Sequence, residues 1–544
     1  MLPMGLEVVS MESGYHNVNN NHEKQVINFC QKVGAVHLGD IHKMVDIQAE
    51  TKDLLSQLGF SQMSSTAYDT AWLARLSEFD SNISNQALEW LCENQLSDGS
   101  WGTSEALYYH DRVICTLGAM ISLTYRGRRA QDRLRIQNGL EALDRITSGA
   151  TQGLRADLTG ATVGFELVVP TLISEAENLG IIKQQGDRIL GRLSRLRETK
   201  MSKLAGMKFS RHITVAHSAE MAGTDKIDLL DIENLQEPNG SVGNSPSATA
   251  YFATKVCPGD NRALQYLHEA INKNDSGAPT LFPIELFERN WVLWNLSLAN
   301  LQNESAEINV LFENHLDFLE KHWKPGNGQG LGFSNSYSLT DSDDTAVGFE
   351  LLSQNGRRVD INPLLGYEEE QWFRCFQLEA NPSVDVNVHA LNALRQAGYE
   401  KNHPVIQKII SFVRSRQQPE KYWFDKWHIS PYYTTAHVAI CCGDFDNSLS
   451  EDAVNWILKS QKADGSWGFF GLSTAEETAY CIQALVIWEK HGSKLPRGRV
   501  ELAKDWLTRH AESPYPALWI DKSLYRPELL VKSVILSALK LAEE

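Results

Sequence analysis

Apolar residues in this chain recur with a helical period over long stretches. The runs stop at Gly-containing turns and then resume, as in Thr474 to Leu485 (TAEETAYCIQAL), which follows the Asp464-Gly465 turn. Asp-Gly and Asn-Gly pairs mark such turns because both residue types tolerate the backbone conformations a tight turn needs. Strand-like alternation is scarce. The pattern predicts helix, turn, helix, repeated along two separate stretches of chain.

Two segments make the repeat explicit. Trp90, Gln95, Asp98, Gly99, Ser100, Trp101 and Gly102 share their spacing with Trp456, Gln461, Asp464, Gly465, Ser466, Trp467 and Gly468. Both read W-x-x-x-x-Q-x-x-D-G-S-W-G. Degenerate copies run from Gln236 to Ser241 (QEPNGS) and from Trp323 to Phe333 (WKPGNGQGLGF). Helical hairpins of this kind cannot bury their apolar faces alone. Arranged in a ring they form a double-layered α-barrel, and repeats near both ends of the chain predict two barrels.

Composition narrows the function. With 544 residues, 42% hydrophobic and 22% charged, the chain can bury a large core. A net charge of -17 argues against nucleic acid and anionic lipid as partners. The eight cysteines include no Cys-x-x-Cys pair and read as reduced thiols of a cytoplasmic protein. No apolar run approaches the roughly 18 residues of a membrane span. The N-terminus has neither a signal-peptide nor a transit-peptide pattern, and residues 1–29 are expected to form a flexible tail.

The sharpest chemical feature is Asp341-Ser342-Asp343-Asp344-Thr345-Ala346. In the repeat register Asp343-Asp344-Thr345-Ala346 aligns with Glu476-Glu477-Thr478-Ala479 and Ser247-Ala248-Thr249-Ala250. The carboxylates therefore fall at the N-terminus of an inner helix. Helix capping is one use for them there. Crowding is another: neighbouring carboxylates repel, one stays protonated, and a desolvated carboxylic acid can protonate an alkene. A calcium loop is excluded, because its glycine and glutamate positions hold Ala346 and Leu352.

Together the repeats and the D-x-D-D string resemble the class II diterpene cyclases, of the bacterial didomain type that includes copalyl, kolavenyl and halimadienyl diphosphate synthases. Ser65 to Trp72 (STAYDTAW) and Val163 to Pro170 (VGFELVVP) are similar to further family segments. The resemblance implies an all-α fold of two α/α barrels. The β domain would take 30–62 and 293–544, and an inserted γ domain 63–292. The α domain of class I enzymes is not expected, since Val347 replaces the third aspartate of their D-D-x-x-D motif.

It also implies roles. Asp343 would be the general acid, tuned by Asp341 and Asp344 and hydrogen-bonded by Asn381. Lys426 and Lys200, with Lys203 as fallback, would hold the substrate diphosphate. His217 would help hold a terminal base, but its expected Asn partner is Thr280 here, a change that favours rearrangement before the last proton leaves. Asp157 would contact magnesium, and Arg155 phosphate. Tyr337, Trp372, Trp423, Phe424, Trp427 and Tyr433 are candidate cavity aromatics, where ring faces stabilise carbocations.

The implied reaction is protonation-initiated cyclisation of geranylgeranyl diphosphate, with Mg2+, to a bicyclic labdane-, clerodane- or halimane-type diphosphate. A separate class I synthase would consume it, and a homodimer is the expected assembly. The alternatives are the same chemistry on farnesyl diphosphate or a prenylated aromatic, and a non-catalytic scaffold built from the same barrels.

Overall fold

The computed structural model describes residues 45–126, 129–148, 153–183, 185–273, 275–379, 381–492 and 494–543. The expected tail and most of the segment before Asp46 lie outside them. Residues 46–544 form one compact unit. The elements are α1 (Ile47–Gln57), α2 (Ala67–Leu73), α3 (Ser81–Glu93), α4 (Tyr109–Arg126), α5 (Ala130–Thr147), α6 (Phe165–Asn178), α7 (Gln185–Lys203), a 3-10 segment (Thr214–Ala222), α8 (Pro246–Tyr251), α9 (Asn261–Ala270), α10 (Glu285–Leu298), α11 (Ala306–His322), α12 (Ser342–Gln354), α13 (Asn362–Leu365), α14 (Val384–Gln396), α15 (Pro404–Ser415), α16 (Pro431–Cys442), α17 (Asn447–Ser460), α18 (Ala475–Lys490), α19 (Arg499–Arg509) and α20 (Glu528–Leu541).

Two rings close. In the first, α2, α4, α6, the 3-10 segment and α8 pack in succession, and α8 returns to α2. In the second, α10, α12, α14, α16, α18 and α20 pack in succession, and α20 returns to α10. Outer helices cover each ring, and α1 joins the second by packing on α20 and α11. Inner and outer helices differ as their sequences require. Every residue of inner α16 but Ile440 is buried, whereas outer α15 buries one stripe containing Ile406, Ile409, Ile410 and Val413.

The expected boundary at 292/293 falls inside α10, which runs unbroken and belongs whole to the second ring. Glu288 on this helix also accepts the Gly59 N–H at 2.7 Å and the Gln62 N–H at 2.8 Å, fastening the first described segment to the second barrel.

The repeat motif works as a brace. Trp101, Trp423 and Trp467 each donate their indole N–H to the helix ten residues back, at 2.8 Å in all three cases. Gln461 spans its own turn and the next outer helix, donating to Gly465 O at 2.9 Å and Arg499 O at 3.0 Å. Gln95 does the same with Gly99 O and Arg135 O. At Gly465 (φ +92°) a Cβ would stand 2.6 Å from the Leu502 carbonyl, so only glycine fits. A threonine on the inner helix then takes the N–H of the turn: Thr116 from Trp101, Thr249 from Val242, Thr345 from Leu331, Thr478 from Trp467. That shared bond bears out the alignment of the DDTA, EETA and SATA segments.

A hairpin joins the barrels. Strands β1 (Trp519–Ile520) and β2 (Leu524–Tyr525) pair antiparallel around a turn at 521–523. Ile520 N–H donates to Trp427 O on the second-barrel side. On the first-barrel side Leu524 N–H donates to Asp111 at 2.9 Å, and Val163 N–H donates to Asp521 O at 2.9 Å.

Candidate active site

Inner helices of this fold begin at a capping side chain: Thr66, Ser245, Ser383, Ser430 and Thr474 each accept a backbone N–H of the first turn. On α12 that place belongs to Asp341, which accepts the Asp344 N–H at 2.8 Å. Capping thus falls to the first member of the string alone. Asp341 is buried, and burial, with the Asp344 charge adding, pushes its carboxyl well above the ordinary range. Burial and then the Asp343 charge raise Asp344 to about 7, against the opposing bonds of Asn290, Asp341 and Trp291. Asn290 and Trp291, both on α10, reach Asp344 Oδ1 at 3.3 and 3.2 Å.

Asp343 points elsewhere. Its side chain is 16% exposed, and Oδ1 lies 2.7 Å from Nδ1 of His389 on α14. Behind it His389 Nε2 meets His437 Nδ1 at 3.1 Å. Aromatic rings enclose this chain: Trp291 edge-on to His389 at 4.9 Å, Tyr433 against His437 at 4.3 Å, and Trp519 and Tyr480 each 5.1 Å from Tyr433. Asn381, expected as the partner of the acid, is exposed, and its backbone carbonyl accepts from Lys426 at 2.7 Å. His389 occupies the position expected of it.

His217 and Thr280 do come together, on a residue the sequence reading did not single out. Asp521, in the hairpin turn, accepts the Thr280 hydroxyl at 2.6 Å and faces His217 Nε2 at 3.1 Å. His217 Nδ1 lies 3.0 Å from the Gly243 carbonyl. Burial raises the Asp521 carboxyl, but His217, Thr280 and Lys522 outweigh it and hold it below the ordinary range. Lys522 beside it is fully buried, donating to Glu220 and Ser245 at 2.7 Å and to Ser247 at 2.8 Å. In the first barrel, the residues aligned with the acid string thus face this chain's own ammonium. Tyr525, on β2, is buried beside Trp519. Burial raises its phenol, and the Asp521 and Asp344 charges both add.

Lys426 and Lys200 sit on opposite barrels. Burial lowers the Lys426 ammonium to about 8, with the Lys200 charge adding in the same direction. Each has a carboxylate neighbour, Glu379 for Lys426 and Glu166 for Lys200. Lys203 and Arg155 are exposed. Asp157 does not fit a magnesium ligand: its oxygens take the Tyr109 N–H at 3.0 Å, the His110 N–H at 2.8 Å and the His110 ring at 2.6 Å. No group of three metal-ligating side chains converges among the described residues.

The aromatic candidates divide. Tyr433 belongs to the rings around His437, Tyr337 is buried and stacked on Phe333 at 4.3 Å, and Trp427 lies under the Lys426 ammonium at 4.8 Å. Trp423 is one of the repeat's bracing indoles. Phe424 and Trp372 pack against Tyr422 and Phe412 on the outer layer. A cleft of about 1420 Å³ between Thr66, Asp111, Glu285 and Arg526 does not include Asp343. Among the described residues no helix is long and apolar enough to cross a membrane.

A double α/α barrel with a protonatable aspartate cluster at the head of an inner helix defines a terpene cyclase of the protonating class. The squalene–hopene cyclase C-terminal domain family matches residues 376–486. A type B diterpene cyclase of Mycobacterium tuberculosis is 48% identical over 484 residues, 89% of this chain and 96% of that protein. An ent-copalyl diphosphate synthase of a Streptomyces species is 30% identical over 84% of this chain and 88% of its own. The solved ent-copalyl diphosphate synthase from Streptomyces platensis superposes with a TM-score of 0.72 at 26% identity, covering 92% of this chain and all of that one. The chain belongs to the class II diterpene cyclases.

Proposed function

We propose that this enzyme protonates the terminal alkene of geranylgeranyl diphosphate with Asp343, closes a decalin and releases a bicyclic diphosphate. The observation that carries the reading is the division of labour in the aspartate string. Asp341 is spent on capping and Asp344 on Asn290 and Trp291, while Asp343 stays half-open with one oxygen held by His389. A carboxylic acid placed so can give its proton to carbon and leave a carboxylate that is already hydrogen-bonded.

Retention of the diphosphate is supported by Val347, which breaks the motif that ionising enzymes use. Lys426 and Lys200 offer two ammonium groups, each beside a carboxylate, to hold the phosphates without cleaving them. Magnesium would come mainly with the phosphate oxygens as its ligands. A class I synthase is the natural consumer of such a product.

A rearranged clerodane or halimane skeleton is favoured over simple deprotonation. Both nitrogens of His217 are engaged, Nδ1 facing the Gly243 carbonyl and Nε2 the Asp521 carboxylate, so neither is open to a departing substrate proton. With that base withheld, hydride and methyl shifts can precede loss of the final proton. Purified enzyme with geranylgeranyl diphosphate and Mg2+, followed by phosphatase and NMR of the alcohol, tests this. A rearranged bicyclic alcohol is expected. Recovery of geranylgeraniol, with turnover of farnesyl diphosphate or a prenylated aromatic instead, would overturn the substrate assignment.

A further inference from the structure

The contacts behind Asp343 continue past His389 to His437, and their direction matters. Two facing imidazole nitrogens bond only if one carries the hydrogen and the other the lone pair. In one arrangement His437 Nδ1–H donates to His389 Nε2, and His389 Nδ1–H donates to Asp343 Oδ1. The acid's own proton then sits on Oδ2. In the reverse arrangement His389 Nε2–H donates to His437, and His389 Nδ1 ties up the Asp343 O–H. The first leaves the proton free to transfer and the second does not.

The far nitrogen of His437 decides between them. Nε2 is buried and has no hydrogen-bond partner among the described residues. Its ring is surrounded by Trp294 at 5.4 Å, Tyr480 at 5.5 Å and Tyr433 at 4.3 Å. The reverse arrangement would leave an N–H there, and orphaned buried N–H donors are rarer than under-satisfied acceptors. Burial, with the His389 and His428 rings adding, holds His437 well below the ordinary histidine range, so the ring is neutral and carries one proton. That proton belongs on Nδ1, toward His389.

We propose that His437 is a positioning residue that fixes the tautomer of His389, so that Asp343 keeps its transferable proton on the oxygen His389 does not engage. The inference rests on the reading of Asp343 as the acid. In the step, the alkene π pair forms the new C–H bond, the Asp343 O–H bond breaks, and its electrons stay on a carboxylate whose Oδ1 already accepts the His389 N–H.

Two measurements test it, one independent of turnover. In protein labelled with 15N-histidine, the His437 signals, assigned by their loss in His437→Asn, should show a protonated Nδ1 and an unprotonated Nε2. A protonated Nε2 would overturn the proposal even if the enzyme cyclises as proposed. Inactivity of the wild type with the labels as expected would instead count against the substrate reading alone. In kinetics, His437→Phe should lower kcat roughly 100-fold with KM little changed. His437→Asn, whose amide N–H replaces Nδ1–H, should recover most of that loss. A Phe variant as fast as wild type, or an Asn variant as slow as Phe, would overturn it. Circular dichroism of each variant separates misfolding from mispositioning.

Discussion

His389 Nδ1 stands 2.7 Å from Asp343 Oδ1, across the gap between two neighbouring inner helices of the second barrel. The contact singles out one carboxyl of three as the one whose oxygen faces a ring nitrogen, while the other two accept from a capping N–H or from the indole and amide of α10. It also predicts how the three differ under mutation.

Asp343→Asn should reduce cyclisation by roughly 10³-fold or more while leaving thermal stability near that of the wild type, since this side chain caps nothing. Asp341→Ala should lose both activity and about 1 kcal/mol of stability, because it removes the cap of α12. Rates with denaturant melts on both variants check the contrast.

Asp521→Ala should shift the products. It removes the carboxylate that occupies His217 Nε2 and frees that nitrogen as a base, so less rearranged, earlier-deprotonated bicycles should rise as a fraction of the total. The substitution also leaves the buried Thr280 hydroxyl without its acceptor, at about 1–3 kcal/mol, so the variant should melt earlier. Product profiles by gas chromatography after dephosphorylation give the first readout and urea titration the second.

Substrate capture should weaken in mild alkali. Lys426, lowered by burial to about 8, is charged below that pH and neutral above it. The value of kcat/KM should therefore fall as pH rises through about 8, chiefly through KM. Lys426→Arg, whose guanidinium does not titrate there, should move the fall to higher pH. A pH profile unchanged by that substitution would remove Lys426 from diphosphate binding.

Gln461→Ala should act on stability alone. Its amide joins the Gly465 turn to the Arg499 end of the next outer helix, and two such bonds contribute about 1–3 kcal/mol together. Equilibrium unfolding should show the loss, and kcat at a temperature where the variant is folded should not.

Local pattern made the barrels legible, and with them the place of the aspartate string at the head of an inner helix. Asp-Gly turns, the repeat spacing and the DDTA register are short-range features, and each has its bond in the structure. What escaped is long-range. Asp521 meets His217 across 304 residues, from a four-residue pair of strands too short to show any alternation. His389 lies inside a helix that reads as buried core, while Asn381, in the loop before it, resembled the family's partner for the acid. Asp157 is expected to contact magnesium from the family resemblance alone, and the sequence carries no mark of the N–H groups that its oxygens receive. The boundary at 292/293 failed because α10 runs through it as one helix, buried along most of its length, and offers no break to read.

In the proposed reaction a proton, not departure of diphosphate, starts the cyclisation. Turnover of geranylgeranyl diphosphate in D2O, followed by mass spectrometry of the intact diphosphate and NMR of the derived alcohol, tests it directly. One deuterium is expected, on the ring carbon derived from the terminal alkene, with no free pyrophosphate and no labelled product with Asp343→Asn. Release of pyrophosphate, or a cyclised product without deuterium at that carbon, would contradict it.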